Sequence, residues 1–183
     1  SSFSFFCFIK NCEIVSVSKK ININYFEIIS FKDLNASNSG FDEYSLKFLD
    51  KPDFQLNKFF YKSVGKKHHW VDRLGWTENQ WINYTSDEKV KTYILKKDED
   101  YVGYFELIFH YNSNEVEIAY LGLLEEYHNK KLGSYILTCA IKKSFLGNPK
   151  RVWVHTCSLD HKNALNNYIA RGMKIFKRET ITI

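Results

Sequence analysis

A lysine-bearing loop between a predicted strand and a predicted helix has the residue types needed to bind an anion. It spans residues 127–134, with the sequence Tyr-His-Asn-Lys-Lys-Leu-Gly-Ser. At the N-terminus of a helix the backbone N–H groups point toward a ligand, and the helix dipole adds partial positive charge. Lys130 and Lys131 add formal charge, and Gly133 lets the backbone approach a ligand closely. Such a loop could hold a pyrophosphate. An ordinary strand–helix connection with solvated lysines is the alternative interpretation.

The elements around this loop follow from periodicity and turn residues. Amphipathic spacing predicts helices at residues 134–146 and 160–170, and Gly172 closes the second helix. Gly122, inside the strand before the loop, indicates a bulge or the close approach of a ligand. Alternating apolar positions or β-branched composition predict strands at residues 90–96, 101–111, 115–124, 151–157 and 173–183.

The first part of the chain carries weaker signals. Residues 21–31 predict a strand and residues 35–40 a loop. The apolar residues from Phe54 to Val64 predict a helix that ends at Gly65. Thr77 and Gln80 have the spacing of a capping box, which predicts a second, short helix.

The order of elements is strand, helices, three strands, helix, strand, helix, strand. A strand–helix–strand crossover is right-handed and parallel. The sequence therefore predicts an α/β fold whose mixed sheet is antiparallel at its start and parallel at the crossover.

Composition is that of an ordinary globular domain. The chain has 183 residues, of which 44% are hydrophobic and 26% charged, and this length suits one core. We predict one domain at residues 21–183 and treat residues 1–20 as an N-terminal appendage of unknown role. The formal net charge of +5 suits a small anionic ligand. The lysines and arginines are too scattered for nucleic-acid binding, which favours a dense basic face.

The cysteine spacing and the hydropathy pattern indicate the cellular compartment. The four cysteines form no C-x-x-C pair, so they predict neither a disulfide framework nor a zinc site. No apolar run is long enough to cross a bilayer. We therefore expect a reducing compartment, the cytoplasm, with no membrane association and no bound metal.

The order of elements, with this loop in this place, resembles the GNAT superfamily of acyl-CoA N-acyltransferases. The family signature Arg/Gln-x-x-Gly-x-Gly/Ala aligns with residues 128–133, where Gly133 matches strictly. His128 takes the place of Arg or Gln, and Lys131 takes the place of the first glycine. Residues 161–173 are similar to the family pattern Asn-x-x-Ala-x-x-x-Tyr-x-x-x-Gly-Phe, with Met173 in place of Phe. The resemblance covers roughly residues 51–178.

The resemblance implies a central mixed sheet of six to seven strands flanked by about four helices, with acetyl-CoA as cosubstrate. It implies that the backbone around Leu121, Gly122 and Leu123 binds the acetyl carbonyl and the pantetheine arm, and that Asn163 contacts pantetheine. Backbone N–H groups at a strand bulge would stabilise the tetrahedral oxyanion. The residues implied to surround the pyrophosphate are His128, Asn129, Lys130, Lys131, Leu132, Gly133 and Ser134.

The resemblance also suggests catalytic groups. Tyr168 occupies the position from which the family donates a proton to the leaving thiolate; a packing role is the alternative. An amine is protonated at pH 7, and a carboxylate can remove that proton through a water molecule. Glu117 is the first candidate base because it falls where histone-type members place a catalytic Glu. Glu106, on the neighbouring strand, is the second candidate, and His155 could also line the site.

Residues of the predicted acceptor side are clustered near the early helices. Trp70, Asp72 and Trp76 are the principal candidates, together with His69 and Arg73. Aromatic rings and a carboxylate suit a cationic amine. The alternative is that both tryptophans pack a helix against the sheet.

We therefore expect an acetyl-CoA-dependent N-acetyltransferase. It would act on a primary amine of a small molecule or peptide by direct attack in a ternary complex, without a nucleic-acid or membrane partner. A catalytically inactive acyl-CoA-binding module is the alternative, and the altered loop is the argument for it. The resemblance allows a homodimer, since family members are often dimers.

Overall fold

The computed structural model describes residues 18–128, 130–160 and 163–182. Within these ranges one sheet of seven strands is accompanied by four α-helices, which confirms the predicted fold class. Most of the predicted appendage, residues 1–17, lies outside the described residues. The elements are β1 (Lys20–Ile28), β2 (Tyr44–Phe48), α1 (Phe54–His68), α2 (Glu78–Thr85), β3 (Val90–Lys97), β4 (Asp100–His110), β5 (Glu115–Leu123), α3 (Leu132–Phe145), β6 (Arg151–Cys157), α4 (Ala164–Ala170) and β7 (Lys174–Thr182).

The sheet has the order β2-β3-β4-β5-β6-β1-β7, and β5 and β6 are its parallel pair. The parallel ladder joins residues 115–117 to residues 151–153. Beyond this short ladder, β5 continues to Leu123 and β6 to Cys157 with no further pairing between them in the described chain. Where two neighbouring strands stop pairing, their backbone N–H and C=O groups no longer bond each other, and a gap opens between the strands.

Hydrophobic clusters cover both faces of the sheet. On one face α3 packs against Leu107 of β4, Ile118 of β5 and Val152 of β6. On the other face α1 and α2 bury Phe60, Tyr61 and Trp81 against β3, β4 and β5. The two layers explain the high aromatic content, because aromatic side chains bury large areas.

A β-bulge lies in β5 at Ala119. Tyr120 pairs with Glu106 and Ile118 pairs with Leu107, so Ala119 has no partner across the β4–β5 ladder. The bulge was expected near Gly122, and it lies three positions earlier. A bulge bends its strand and increases the local twist, which helps to turn the end of β5 away from β6.

Two helix boundaries differ from the predictions. Helix α1 passes through Gly65 and ends at His68, and His69 caps it with a left-handed φ of 57°. A Cβ atom at Gly65 would lie 2.7 Å from Cβ of Trp70, so the glycine leaves room for a packed ring rather than ending the helix. Helix α4 begins at Ala164 instead of at residue 160, because Asp160 lies in the preceding turn.

Strand β2 was not predicted. Its sequence Tyr-Ser-Leu-Lys-Phe does alternate apolar and polar residues, which was the available signal. The strand is short and lies at the sheet edge, paired only with β3 among the described strands. By contrast, the capping box at the start of α2 is confirmed, since Thr77 and Gln80 each bond the other's backbone N–H.

A buried ion pair joins the α1–α2 segment to the sheet. Nη1 of Arg73 lies 3.0 Å from Oε2 of Glu106, and both side chains are fully buried. The same carboxylate accepts hydrogen bonds from Asn57 of α1 and Tyr84 of α2, each at 2.8 Å. Within the described chain, Nε and Nη2 of Arg73 have no hydrogen-bond partner. The guanidinium is instead surrounded by the rings of Tyr61, Trp76, Trp81, Tyr84 and Tyr120 at 4.0–5.7 Å.

No helix in the described ranges is long and apolar enough to span a bilayer.

Replacement of Arg73 by Leu is expected to lower the free energy of unfolding by about 3–5 kcal/mol, because it leaves the Glu106 carboxylate buried without a cation. The double variant Arg73→Leu, Glu106→Leu should recover part of this loss, since it removes both charges. Urea denaturation measures the difference. The control is Lys96→Gln, whose partner Glu99 is 97% exposed, and it should leave stability unchanged. An Arg73→Leu variant as stable as this control would contradict the assignment.

Candidate active site

Beyond the β5–β6 ladder, the end of β5 lines a cavity of about 780 Å³, which we call the large cavity. Its volume is in the range of small-molecule sites. The N-terminal end of α3 and the helix α4 form much of its wall. The sequence-predicted residues that line it are Leu121, Gly122, Leu123, His128, Lys131, Leu132, Gly133, Ser134, Asn163 and Tyr168.

The loop before α3 forms an anion-binding arrangement. Lys131 is the N-cap residue and its side chain makes no capping hydrogen bond, so the first backbone N–H groups of α3 have no cap from it. Lys131 also lines the large cavity. Nδ2 of Asn167, from α4, donates to the Gly133 carbonyl at 3.0 Å and ties the two helices together. Backbone donors, the helix dipole and a lysine therefore meet at one wall.

Two loop residues predicted for the site are placed differently. Lys130 does not line the large cavity, and its Nζ lies 5.3 Å from the centre of the Tyr127 ring. Asn129 lies outside the described residues.

Lys131 has a left-handed backbone with a φ of 59°. Glycine adopts this conformation without strain, whereas a residue with a Cβ atom does not. The family signature has its first glycine at this position. A lysine there adds a positive charge to the loop but strains the backbone of residue 131.

Tyr168 lies at the floor of the large cavity and is 8% exposed. Its ring packs on Phe26 of β1 with a centroid distance of 5.1 Å. Burial raises the pKa of Tyr168 well above its ordinary value. A phenol in this state is protonated at neutral pH and can donate a proton to an anion that forms beside it.

Gly122 also lines the large cavity, but its small size serves packing. A Cβ atom there would lie 2.2 Å from Cγ1 of Val64 on α1. The missing side chain therefore allows α1 to approach β5 closely.

A second, smaller cavity of about 110 Å³ lies on the α1 side of the sheet, and we call it the small cavity. Trp70, Asp72 and His155, three of the predicted acceptor-side residues, line it together with His69. The Asp72 carboxylate accepts hydrogen bonds from Tyr61 at 2.8 Å and from Tyr120 at 2.5 Å. Burial lowers the pKa of His155. The small cavity thus combines aromatic rings with an oriented carboxylate.

Among the predicted catalytic and acceptor-side residues, Glu106, Glu117, Trp76 and Arg73 line neither cavity. Glu106 is the buried partner of Arg73, and Trp76 lies 4.7 Å from the same guanidinium. Glu117 is buried, and its carboxylate lies 2.9 Å from Nε2 of His110.

Two residues that the sequence analysis did not select, His68 and Asp160, line both cavities. Nδ1 of His68 contacts Oδ1 of Asp160. The two are 92 positions apart in the sequence, so no local spacing could have indicated the pair.

Within the described residues no group of three or more His, Cys, Asp or Glu side chains could hold a metal ion.

Comparison with known families identifies a match to this architecture. The profile of the acetyltransferase (GNAT) family matches residues 51–173, which include α1, α4 and most of the residues that line the two cavities. No protein of curated function matches the sequence.

Solved structures share the fold at low sequence identity. A functionally unknown conserved protein from Staphylococcus epidermidis has a TM-score of 0.60 and 14% identity, with 89% of this chain and 61% of that chain covered. A GCN5-related N-acetyltransferase from Sphaerobacter thermophilus has a TM-score of 0.68 and 13% identity, with 90% and 52% covered. An aminoglycoside acetyltransferase from an uncultured soil metagenomic sample has a TM-score of 0.58 and 12% identity, with 72% and 89% covered. The chain therefore spans about three fifths or less of the first two proteins.

Replacement of Lys131 by Gly is expected to raise the free energy of unfolding by about 1 kcal/mol relative to Lys131→Ala, because only glycine relieves the left-handed strain. Both variants remove the charge, so they form a matched pair, and thermal unfolding measures the difference. Equal stability of the two variants would show that the loop relaxes out of the left-handed conformation.

The hydrogen bond that the His110 ring donates to the Glu117 carboxylate raises the pKa of His110 above its ordinary value. A raised pKa in the folded state stabilises the fold below the unfolded value of about 6.5, and this stabilisation is lost as pH rises through the folded pKa. In Glu117→Gln, the His110 pKa measured by NMR titration should fall, and the stability advantage of the wild type should shrink above pH ~6.5. An unchanged His110 pKa would contradict the pairing.

Proposed function

Because the chain belongs to the acetyltransferase (GNAT) family, we propose that it transfers the acetyl group of acetyl-CoA to a primary amine of a small molecule or peptide. The observation that carries the proposal is the pair of adjoining cavities. The large cavity combines an uncapped helix N-terminus and a lysine with an extended strand edge, and the small cavity combines aromatic rings with a carboxylate. A donor and an acceptor can therefore meet in a ternary complex for direct attack.

The large cavity suits coenzyme A in charge and in shape. The backbone N–H groups at the start of α3, together with Lys131 and His128, would hold the pyrophosphate. The edge of β5 from Leu121 to Leu123, and Asn163 across the cavity, would receive the pantetheine arm. The acetyl group would then lie near the end of β5, where the strand is no longer paired with β6.

The chemistry at this point needs three contributions from the chain. Backbone N–H groups on the unpaired edge of β5 stabilise the negative charge that develops on the carbonyl oxygen. Tyr168, which lines the large cavity, gives a proton to the departing sulfur. A base on the acceptor side removes a proton from the amine.

The small cavity favours a cationic acceptor group. Asp72 supplies negative charge and Trp70 an aromatic face, and both interactions favour an ammonium. Its volume of about 110 Å³ suits the terminal part of an amine rather than a whole large substrate. An aminoglycoside is one acceptor worth testing, because a protein of the same fold is an aminoglycoside acetyltransferase.

The alternative proposal is an acyl-CoA-binding module without catalysis. The observation in its favour is the loop before α3, where Lys131 occupies a left-handed position that the family signature reserves for glycine.

Calorimetric titration with acetyl-CoA, followed by a screen of amines for release of free thiol, tests both proposals. The screen should contain polyamines, amino acids, aminoglycosides, arylalkylamines and peptide N-termini. Saturable binding with thiol release supports the transferase. Binding without thiol release from any amine supports the inactive module, and absence of binding at millimolar acetyl-CoA overturns both.

Replacement of Tyr168 by Phe is expected to lower kcat by about 10²-fold or more while the Kd of acetyl-CoA changes little, because the phenol acts only when the sulfur departs. Steady-state kinetics and calorimetry measure the two quantities. Tyr111→Phe, at an exposed residue outside both cavities, is the matched control. Equal losses of turnover and affinity in Tyr168→Phe would assign Tyr168 a packing role.

A further inference from the structure

The wall between the two cavities is formed by a histidine and an aspartate. Among the residues that line either cavity, His68 and Asp160 are the two common to both. His68 is the last residue of α1, and Asp160 lies in the turn after β6. If the donor occupies the large cavity and the acceptor the small one, the reacting atoms meet beside this pair.

Asp160 is held in one orientation by its neighbours. Oγ1 of Thr156, on β6, donates to its Oδ2 atom at 2.7 Å. Its backbone N–H donates to the carbonyl of Cys157 at 3.0 Å. The other carboxylate oxygen, Oδ1, faces Nδ1 of His68.

The carboxylate determines which nitrogen of His68 carries the proton. A carboxylate accepts hydrogen bonds, so Nδ1 of His68 donates to Asp160 and the lone pair of the neutral ring lies on Nε2. The ring also packs near Trp70, with a centroid distance of 5.5 Å. The side chains of His68 and Asp160 are 13% and 18% exposed, so the surrounding residues restrict both.

We propose that Nε2 of His68 is the base that accepts the proton of the acceptor amine, and that Asp160 is the positioning residue that holds the imidazole in the required tautomer. The inference rests on the proposed function. The arrangement has the logic of a histidine base oriented by a buried carboxylate. In this chain it places the base at the boundary between donor and acceptor.

The proposed step conserves atoms and charge. Nε2 of His68 takes one proton from the ammonium, and the free amine nitrogen then attacks the thioester carbon. The C–N bond forms, the C–S bond breaks, and the electron pair leaves on sulfur, which takes a proton from Tyr168. The nitrogen gives its second proton to water as the tetrahedral intermediate collapses, and solvent returns a proton to Tyr168. The imidazolium of His68 releases its proton to water before the next cycle.

Glu117, the base suggested by the family resemblance, is less well placed for this step. Its carboxylate is bonded to His110 and lines neither cavity. Glu106 is paired with Arg73 inside the core. His68 lines both cavities, whereas the Glu117 and Glu106 carboxylates line neither.

Other charged and titratable groups line the same two cavities as His68. On the acceptor side these are His69, Asp72 and His155, and on the donor side they are His128, Lys131 and Arg171. A pH profile alone would mix their contributions, so the test compares variants and acceptors at one pH.

The kinetic test uses the full chain at pH 7 with phenethylamine, or with another amine that the wild type acetylates. His68→Ala should lower kcat by about 10²–10⁴-fold while the Kd of acetyl-CoA is retained, and added imidazole should restore part of the rate. Phenylhydrazine, which is neutral at this pH, should show a much smaller loss because no ammonium proton has to be removed. Asp160→Asn should lower kcat in the same direction, whereas Asp42→Asn, outside both cavities, should not.

The outcomes separate the base assignment from the proposed function. Wild-type turnover in His68→Ala overturns the assignment and leaves the acetyltransferase intact. A selective loss for cationic acceptors in Glu117→Gln, with none in His68→Ala, assigns the role to Glu117. A wild type that acetylates no amine overturns both proposals.

A spectroscopic measurement decides the point without turnover and guards against misfolded variants. Nitrogen-15 NMR of the wild-type chain should show the neutral ring of His68 with its proton on Nδ1. In Asp160→Asn this preference should weaken. A neutral ring protonated on Nε2 in the wild type would overturn the proposal, whatever the acceptor.

Discussion

Arg73 and Glu106 are both removed from water, and the structure around the small cavity is organised by the need to compensate their charges. An isolated buried ion is strongly disfavoured, so each must keep its partner and its hydrogen bonds. The Glu106 carboxylate accepts hydrogen bonds from Asn57 of α1 and Tyr84 of α2, while aromatic rings surround the Arg73 guanidinium. The segment between the two helices is thereby held against β4. That segment carries Asp72, which is in turn held by two tyrosine hydroxyl groups.

The large cavity lies beside the part of β5 that no longer pairs with β6. Their ladder ends after residue 117, and the bulge at Ala119 turns the end of β5. The backbone that follows lines the large cavity, and α3 begins beside it. On the opposite face of β5, Val64 of α1 occupies the space left by Gly122. Helix α1 therefore packs closely on β5, and its last residue, His68, lines both cavities.

Local features were predictable because they arise from interactions close in sequence. The strands and helices of the second half follow from periodicity, and the capping box of Thr77 follows from a three-residue spacing. The segment 128–134 and Tyr168 were selected because each falls in a sequence pattern that resembles one of the family's. Helix α1 was predicted too short because glycine weakens a helix in isolation, whereas here Gly65 makes room for the ring of Trp70. Trp76 and Glu106 were taken for lining residues because a sequence does not show which polar or aromatic side chains are enclosed together.

The sequence by itself determined the order of the elements other than β2, the mixed sheet and the chemistry available at the loop before α3, because each depends on residue types at short spacing. The tertiary structure decided which carboxylates are engaged, since burial of Glu106 with Arg73 and contact of Glu117 with His110 are set by packing between elements. It also brought together His68 and Asp160 at the boundary of the two cavities. Contacts between residues so far apart follow only from the way α1 packs on β5 and β5 separates from β6.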